Sequence, residues 1–123
     1  MKPTALELLS PARNKETAFA AIDCGADAVY MGFERFGARV SAGNSLADIT
    51  QVVNYAHLFG VKVYVTANIL AHNYDLDGVR RYFEELNNMK PDRPDGLIIA
   101  DPAIFMLAKE ICPDIERHIS TQA

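Results

Sequence analysis

Short apolar runs alternate with longer amphipathic runs along the whole of this 123-residue chain. The short runs have the length and composition of β-strands. The longer runs repeat apolar residues at spacings of three and four, which is typical of amphipathic helices. The sequence therefore predicts the element order β-α-β-α-β-α-β-α-β. The five predicted strands are 6–9, 28–31, 61–66, 96–100 and 117–120.

Capping residues delimit the predicted helices. Each amphipathic run is preceded by an asparagine, serine or aspartate, whose side chain can accept hydrogen bonds from the first-turn N–H groups. Glycine or proline follows each run and ends the helix. The apolar stripe of the second predicted helix extends to Phe59. The residues expected at the four helix starts are Asn14, Ser45, Asp75 and Asp101.

The two faces of the predicted strands differ in polarity, and this difference separates two folds. Strands joined by helical crossovers pair in parallel, as in an open doubly wound sheet or a TIM-type (β/α)8 barrel. A doubly wound sheet is covered by helices on both sides and should be apolar on both. The third and fifth strands instead have one polar face, which favours the α/β barrel. The residues on that face are Lys62, Tyr64, Thr66 and Asn68 in one strand and His118, Ser120 and Gln122 in the other.

The length determines how much of a barrel is present. A complete barrel takes about 250 residues, and this chain has 123. We therefore interpret residues 1–123 as a single partial domain, the N-terminal half of a barrel, with about four βα units and a fifth strand. Both edges of such a half sheet would be unpaired. We expect it to form a homo-oligomer through its exposed half-barrel surfaces.

Composition excludes several classes of protein. The chain is 50% hydrophobic and 23% charged, which indicates a folded domain and not a disordered segment. No apolar run approaches the roughly 18 residues of a membrane span, so we expect no membrane association. The net charge of −4 argues against a nucleic-acid surface built on bulk positive charge.

Cys24 and Cys112 match no metal or redox spacing, so we interpret both as buried apolar side chains of a reduced, cytoplasmic protein.

Several motifs occur in the order found in one known family. They are ELLSPA at 7–12, AIDCGADAVY at 21–30, FGAR at 36–39, SAGN at 41–44, GVKVYVTAN at 60–68, HN at 72–73, DP at 101–102 and HISTQA at 118–123. Together they resemble the peptidase U32 family, the collagenase-like proteases. Arg13 stands where the family usually has glycine, and Ser45 where it usually has phenylalanine. Because full-length members of the family continue further, the resemblance implies an N-terminal fragment, either a truncated chain or a short gene product.

The resemblance implies more than one activity. The first is hydrolysis of a peptide or protein substrate, of unknown catalytic type, with the decisive residues outside this fragment. The alternative is part of an iron–sulfur-dependent hydroxylase that acts on tRNA or rRNA bases or on a quinone precursor, with RNA as a partner and the cluster cysteines outside this chain. A third interpretation is an inert scaffold or a substrate-binding half. In each case we expect no cofactor and no metal within the fragment itself.

Polar residues follow the C-terminal ends of the predicted strands, where barrel enzymes place their active sites. Arg39, on a glycine-bearing loop, suits either a phosphate or carboxylate ligand or a surface salt bridge. His72 suits either a general base or a loop hydrogen bond, and Asp101 suits first an N-cap and second a catalytic acid. No known catalytic constellation is complete. The candidate catalytic residues are His72, Asp101 and Ser120, and the candidate substrate-binding residues are Arg39, Asn44, Asn68 and Gln122.

Three charged or titratable residues have the strand parity of the polar face. They are Glu7, Lys62 and His118. A buried charge needs a partner. We therefore predict that these side chains form a structural polar layer near the bottom of the barrel.

Overall fold

A computed structural model describes residues 8–32, 45–67 and 76–119, in which nine elements alternate strictly between strand and helix. The strands are β1 (Leu9–Pro11), β2 (Ala28–Gly32), β3 (Lys62–Ala67), β4 (Gly96–Ile99) and β5 (Glu116–Ile119). The helices are α1 (Lys15–Asp23), α2 (Leu46–Leu58), α3 (Leu76–Asn87) and α4 (Pro102–Ile111). The predicted element order is confirmed.

The five strands form one parallel sheet in the consecutive order β1-β2-β3-β4-β5. Because parallel crossovers are almost always right-handed, strands that advance in one direction place every connecting helix on the same face. A doubly wound sheet requires a point at which the strand order reverses, and the order of these strands has none. The α/β class with parallel βα repeats is therefore confirmed. The strand order is that of half a (β/α)8 barrel and equally that of an open, singly wound sheet.

The hydrophobic core lies between the sheet and the four helices. In β3, Val63 and Val65 are fully buried, whereas Lys62 is exposed and Tyr64 and Thr66 are half-buried. The predicted division into an apolar face and a polar face is thus confirmed in the strand where it was clearest. The main core side chains are Val29, Met31, Val63, Val65, Leu97 and Ile99 from the sheet and Ala18, Ile22, Ile49, Val52, Val53, Val79, Phe83, Leu86 and Ile104 from the helices.

Three of the four predicted helix caps lie within the described residues, and all three form. The Asn14 side chain accepts a hydrogen bond from the Thr17 N–H at 2.8 Å, and Ser45 Oγ accepts one from the Asp48 N–H at 3.1 Å. The cap of the fourth helix belongs to the candidate site and is described there. The predicted cap at Asp75 lies outside the described residues.

Three local predictions are wrong. The first strand was expected to stop at Ser10, but it runs over Leu9–Pro11, since the Ala12 N–H donates to the Tyr30 carbonyl and keeps the chain paired with β2. Proline is tolerated there because the strand lies at the sheet edge. Phe59 and Cys24 are exposed and not buried, because each is the C-cap residue at which its helix ends.

Within the described parts of the chain, no helix is long and apolar enough to cross a membrane.

Candidate functional site

The face of the sheet opposite the helices carries the polar strand residues. Directly paired residues point to the same side of the sheet. The parallel register therefore aligns residues of this face, polar and apolar, in two rows across β2 to β5. The two rows are Tyr30, Tyr64, Gly96 and Glu116, followed towards the C-terminal strand ends by Gly32, Thr66, Ile98 and His118. We call this surface the helix-free face.

A histidine–glutamate pair on β5 lies on the helix-free face. His118 Nε2 lies 2.6 Å from Glu116 Oε1, and the two side chains are 45% and 64% exposed. Alternate residues of a strand share a face, so the two side chains meet without crossing to another strand. A pair this exposed contributes about 0–1 kcal/mol to folding, far less than the about 1.5–3 kcal/mol of one fully buried apolar side chain.

Tyr64 of β3 contacts the His118 member of this pair. Its ring meets the His118 ring edge-to-face, with 5.5 Å between ring centroids and an angle of 89° between ring planes. The ring also lies over Gly96 of the intervening strand, where an ideal β-carbon would approach ring atom Cδ1 to 2.6 Å. Tyr64, Glu116 and His118 therefore form one cluster, which we call the sheet-face cluster.

The hydroxyl of Thr66, in the row nearer the C-terminal strand ends, is directed to the backbone. Thr66 Oγ1 donates to the Met31 carbonyl at 3.3 Å. This bond ties β3 to β2 on the helix-free face.

The predicted polar layer of Glu7, Lys62 and His118 stays a prediction, because Glu7 lies outside the described residues. In the structure Lys62 is exposed, and His118 pairs with Glu116 on its own strand.

Among the predicted site residues, Asp101 is the one that the structure describes. Its Oδ1 accepts hydrogen bonds from the N–H groups of Ala103 at 2.7 Å and Ile104 at 3.3 Å. This is the predicted N-cap of the fourth helix, and it is confirmed. The remaining candidates lie outside the described residues: Arg39, Asn44, Asn68, His72, Ser120 and Gln122.

A second titratable cluster joins helix α2 to the N-terminal ends of β3 and β4. His57 Nδ1 lies 2.9 Å from Asp92 Oδ2, and His57 Nε2 lies 2.7 Å from Asp95 Oδ2. The same Asp95 oxygen accepts the Val63 N–H at 2.8 Å. Only the protonated imidazolium can donate from both ring nitrogens at once.

The charge state of His57 reflects two opposed effects. Partial burial lowers the pKa of His57, but the hydrogen bonds to Asp95 and then Asp92 raise it by more, and the net direction is upward. The cluster lies at the end of the sheet opposite the predicted barrel active site, where barrel residues serve stability. We therefore assign it a structural role.

The two cysteines do not fit an iron–sulfur cluster. Such clusters are held by four thiolates or by two thiolates and two histidines, and the chain has two cysteines. Burial raises the pKa of the Cys112 thiol to about 11, which keeps it protonated and a poor ligand. The exposed Cys24 lies at the end of α1. Within the described residues, no group of three or more histidine, cysteine, aspartate or glutamate side chains could hold a metal ion.

Tyr64 and Glu116 were not predicted as site residues, and the structure adds them as candidates. The signal for Glu116 was available, because a residue two positions before His118 in a strand must share its face. The contact of Tyr64 with His118 could not be predicted from strand parity, since it depends on the register of three strands.

The fold and the helix-free face together define a class of protein. It is a singly wound α/β protein whose polar sheet face lies on the side away from its helices. Within that class the chain belongs to peptidase family U32, whose model matches residues 13–123. The resemblance carried by the sequence motifs is confirmed. No solved structure matches the chain significantly.

Relatives of known name fall into two groups. The chain is 40% identical over 117 residues to tRNA hydroxylation protein P1 of Bacillus subtilis, covering 94% of this chain and 27% of that protein. It is 45% identical over 117 residues to the 23S rRNA 5-hydroxycytidine C2501 synthase of Escherichia coli, covering 95% and 17%. It is 33% identical over 118 residues to an uncharacterized protease of Methanocaldococcus jannaschii, covering 95% and 28%. The chain thus spans between 17% and 28% of the length of these relatives.

Proposed function

We propose that this chain forms part of a protein that hydroxylates bases of tRNA or rRNA. The observation that carries the proposal is the naming of two bacterial relatives, 40% and 45% identical over nearly the whole chain, for tRNA hydroxylation and for synthesis of an rRNA hydroxycytidine. The alternative that the family resemblance implied is thereby supported better than peptide hydrolysis. RNA as the substrate supports the expected cytoplasmic location.

Among the described residues, the Cys112 thiol does not have the environment of an activated nucleophile, because it is buried and burial raises its pKa to about 11.

Peptide hydrolysis is the second candidate. It is supported by the description of the family as peptidases and by the archaeal relative named as an uncharacterized protease. This activity would require a nucleophile or an activated water, with residues beyond those that the structure describes.

The test is disruption of the gene that encodes this chain, followed by mass spectrometry of nucleosides from separately purified tRNA and rRNA. We expect a pyrimidine nucleoside one oxygen atom heavier than its parent to disappear and to return when the gene is restored. In parallel, the complete gene product is incubated with unstructured protein substrates. Unchanged nucleosides in both RNA fractions, together with peptide cleavage, would establish the peptidase instead.

A further inference from the structure

We propose that the sheet-face cluster binds a single unpaired base of the RNA substrate. The inference rests on the proposed function and adds the place and manner of base recognition. Tyr64 would supply the surface against which the base packs, and the Glu116–His118 pair would supply hydrogen-bond partners for its edge.

Tyr64 has the features of a stacking residue. RNA-binding sheets present aromatic side chains on an open face, where unpaired bases stack on them. Tyr64 is half-buried on such a face, with Tyr30 next to it in register on β2. The Tyr64 ring is fixed from below by Gly96 and from the side by the His118 ring. A ring held in place loses little freedom when a base binds, which favours binding.

The Glu116–His118 pair supplies the polar part of the site. When the neutral His118 ring donates from Nε2 to Glu116, its Nδ1 becomes an acceptor. No described residue hydrogen-bonds to this Nδ1. The Glu116 carboxylate can accept further bonds from its second oxygen. Acceptors of this kind suit the amino group of cytosine or the ring N–H of uracil.

Charge favours recognition of the base over recognition of the phosphate. The cluster contains the Glu116 carboxylate, which repels phosphate groups. Binding driven by phosphate contacts falls steeply as salt rises. Binding through stacking and base hydrogen bonds at this site should therefore depend only weakly on salt.

A matched pair of variants isolates the cluster. Glu116 and Glu110 each pair with a nitrogen-bearing side chain, and their own side chains are 64% and 65% exposed. Glu116 lies on the helix-free face, whereas Glu110 lies on α4 and pairs with Arg80 of α3. Glu116→Gln and Glu110→Gln thus remove the same charge at equal exposure on opposite sides of the sheet. Neither pair is buried, so both variants should fold.

The experiment measures binding and modification for the same variants. Fluorescence anisotropy with the complete gene product uses short single-stranded RNAs containing cytidine, uridine or an abasic site at one position. We expect Glu116→Gln and Tyr64→Leu each to weaken binding of the cytidine or uridine RNA about tenfold. Glu110→Gln should bind normally, and the abasic RNA should bind weakly to every variant.

Complementation of the disrupted gene gives the second readout, the hydroxylated fraction of the target nucleoside. We expect Glu116→Gln to lower this fraction and Glu110→Gln to restore it fully. Full binding and full hydroxylation by Glu116→Gln and Tyr64→Leu would overturn the base site and leave the proposed function standing. Base-dependent binding lost in these variants, with no nucleoside changed by gene disruption, would support the base site and overturn the proposed function.

Sedimentation of the same variants addresses a protein partner on this face. If Glu116→Gln alters self-association while RNA binding and hydroxylation stay unchanged, the helix-free face is a protein contact and the base site is wrong.

Discussion

The ring of Tyr64 lies over Gly96 on the neighbouring strand. An ideal β-carbon at position 96 would come within 2.6 Å of Cδ1 and 2.8 Å of Cε1 of that ring, and within 3.3 Å of the Glu116 carbonyl oxygen. Gly96 does not have a positive φ. The glycine is therefore required by the space that the tyrosine ring occupies and not by the backbone conformation.

Gly96→Ala should displace the Tyr64 ring and lower the free energy of unfolding by about 1–3 kcal/mol, the usual cost of overpacking. Urea denaturation measures this loss. Gly32→Ala is the matched control, because its β-carbon would stand at an ordinary 3.4 Å from Thr66 Oγ1 on the same face. We expect that control to be neutral or slightly stabilising. Equal stability of the two alanine variants would show that the ring yields freely.

The His57 cluster predicts a stability that depends on pH. The pKa of folded His57 is raised above its ordinary value of 6.5, since the bonds to Asp95 and Asp92 outweigh the opposing effect of burial. The folded state then holds its proton more tightly than the unfolded chain does. The resulting stability is fully present below pH 6.5 and is lost as the pH rises through the raised pKa.

His57→Gln should remove this pH dependence and cost about 1–2 kcal/mol on the acidic side, because the side chains are partly exposed. Urea denaturation at pH values on both sides of 6.5 tests this, with Glu110→Gln as the control that keeps the slope. A wild-type protein whose stability is constant through this range would contradict the assignment.

Asp101 can be tested as a cap separately from its predicted role as a catalytic acid. Asp101→Ala should lower the free energy of unfolding by about 1 kcal/mol, since the N–H groups of Ala103 and Ile104 lose their acceptor. Asp101→Asn should keep the cap and the stability. If Asp101→Asn is stable and still restores the hydroxylated nucleoside, Asp101 acts as a cap alone. A stable variant without activity would identify a catalytic acid.

Sequence patterns correctly predicted those structural features that depend on residues close together in the chain. The caps at Asn14, Ser45 and Asp101 and the alternating faces of β3 follow from residues close together in the chain. The extent of β1 did not, because it depends on pairing with β2. Phe59 was misassigned because a stripe pattern does not show that the helix ends one residue earlier.

The site was harder to predict than the fold. His118 was correctly placed on the polar face, and its pairing with Glu116 on the same strand could have been inferred from strand parity. Its contact with Tyr64 could not, because that contact depends on the alignment of β3, β4 and β5, which are far apart in sequence. The prediction for Asp101 succeeded because an N-cap needs only the two or three residues that follow.

Self-association through the helix-free face or the sheet edges remains a prediction. The edge strands β1 and β5 each pair with one neighbour among the described strands, and they carry exposed apolar side chains. Leu9 is 44% exposed and Ile119 is 69% exposed. Open edges and apolar surface favour association. Sedimentation of the 123-residue chain at micromolar concentration should show a dimer or larger species, and a monodisperse monomer would contradict this expectation.

We propose that the chain belongs to a protein that hydroxylates RNA bases. Mass spectrometry of nucleosides from tRNA and rRNA of cells in which the gene has been disrupted tests this proposal. We expect one hydroxylated pyrimidine nucleoside to be lost from one of the two RNA fractions and to be restored by the intact gene. Retention of every hydroxylated nucleoside in both fractions would contradict it.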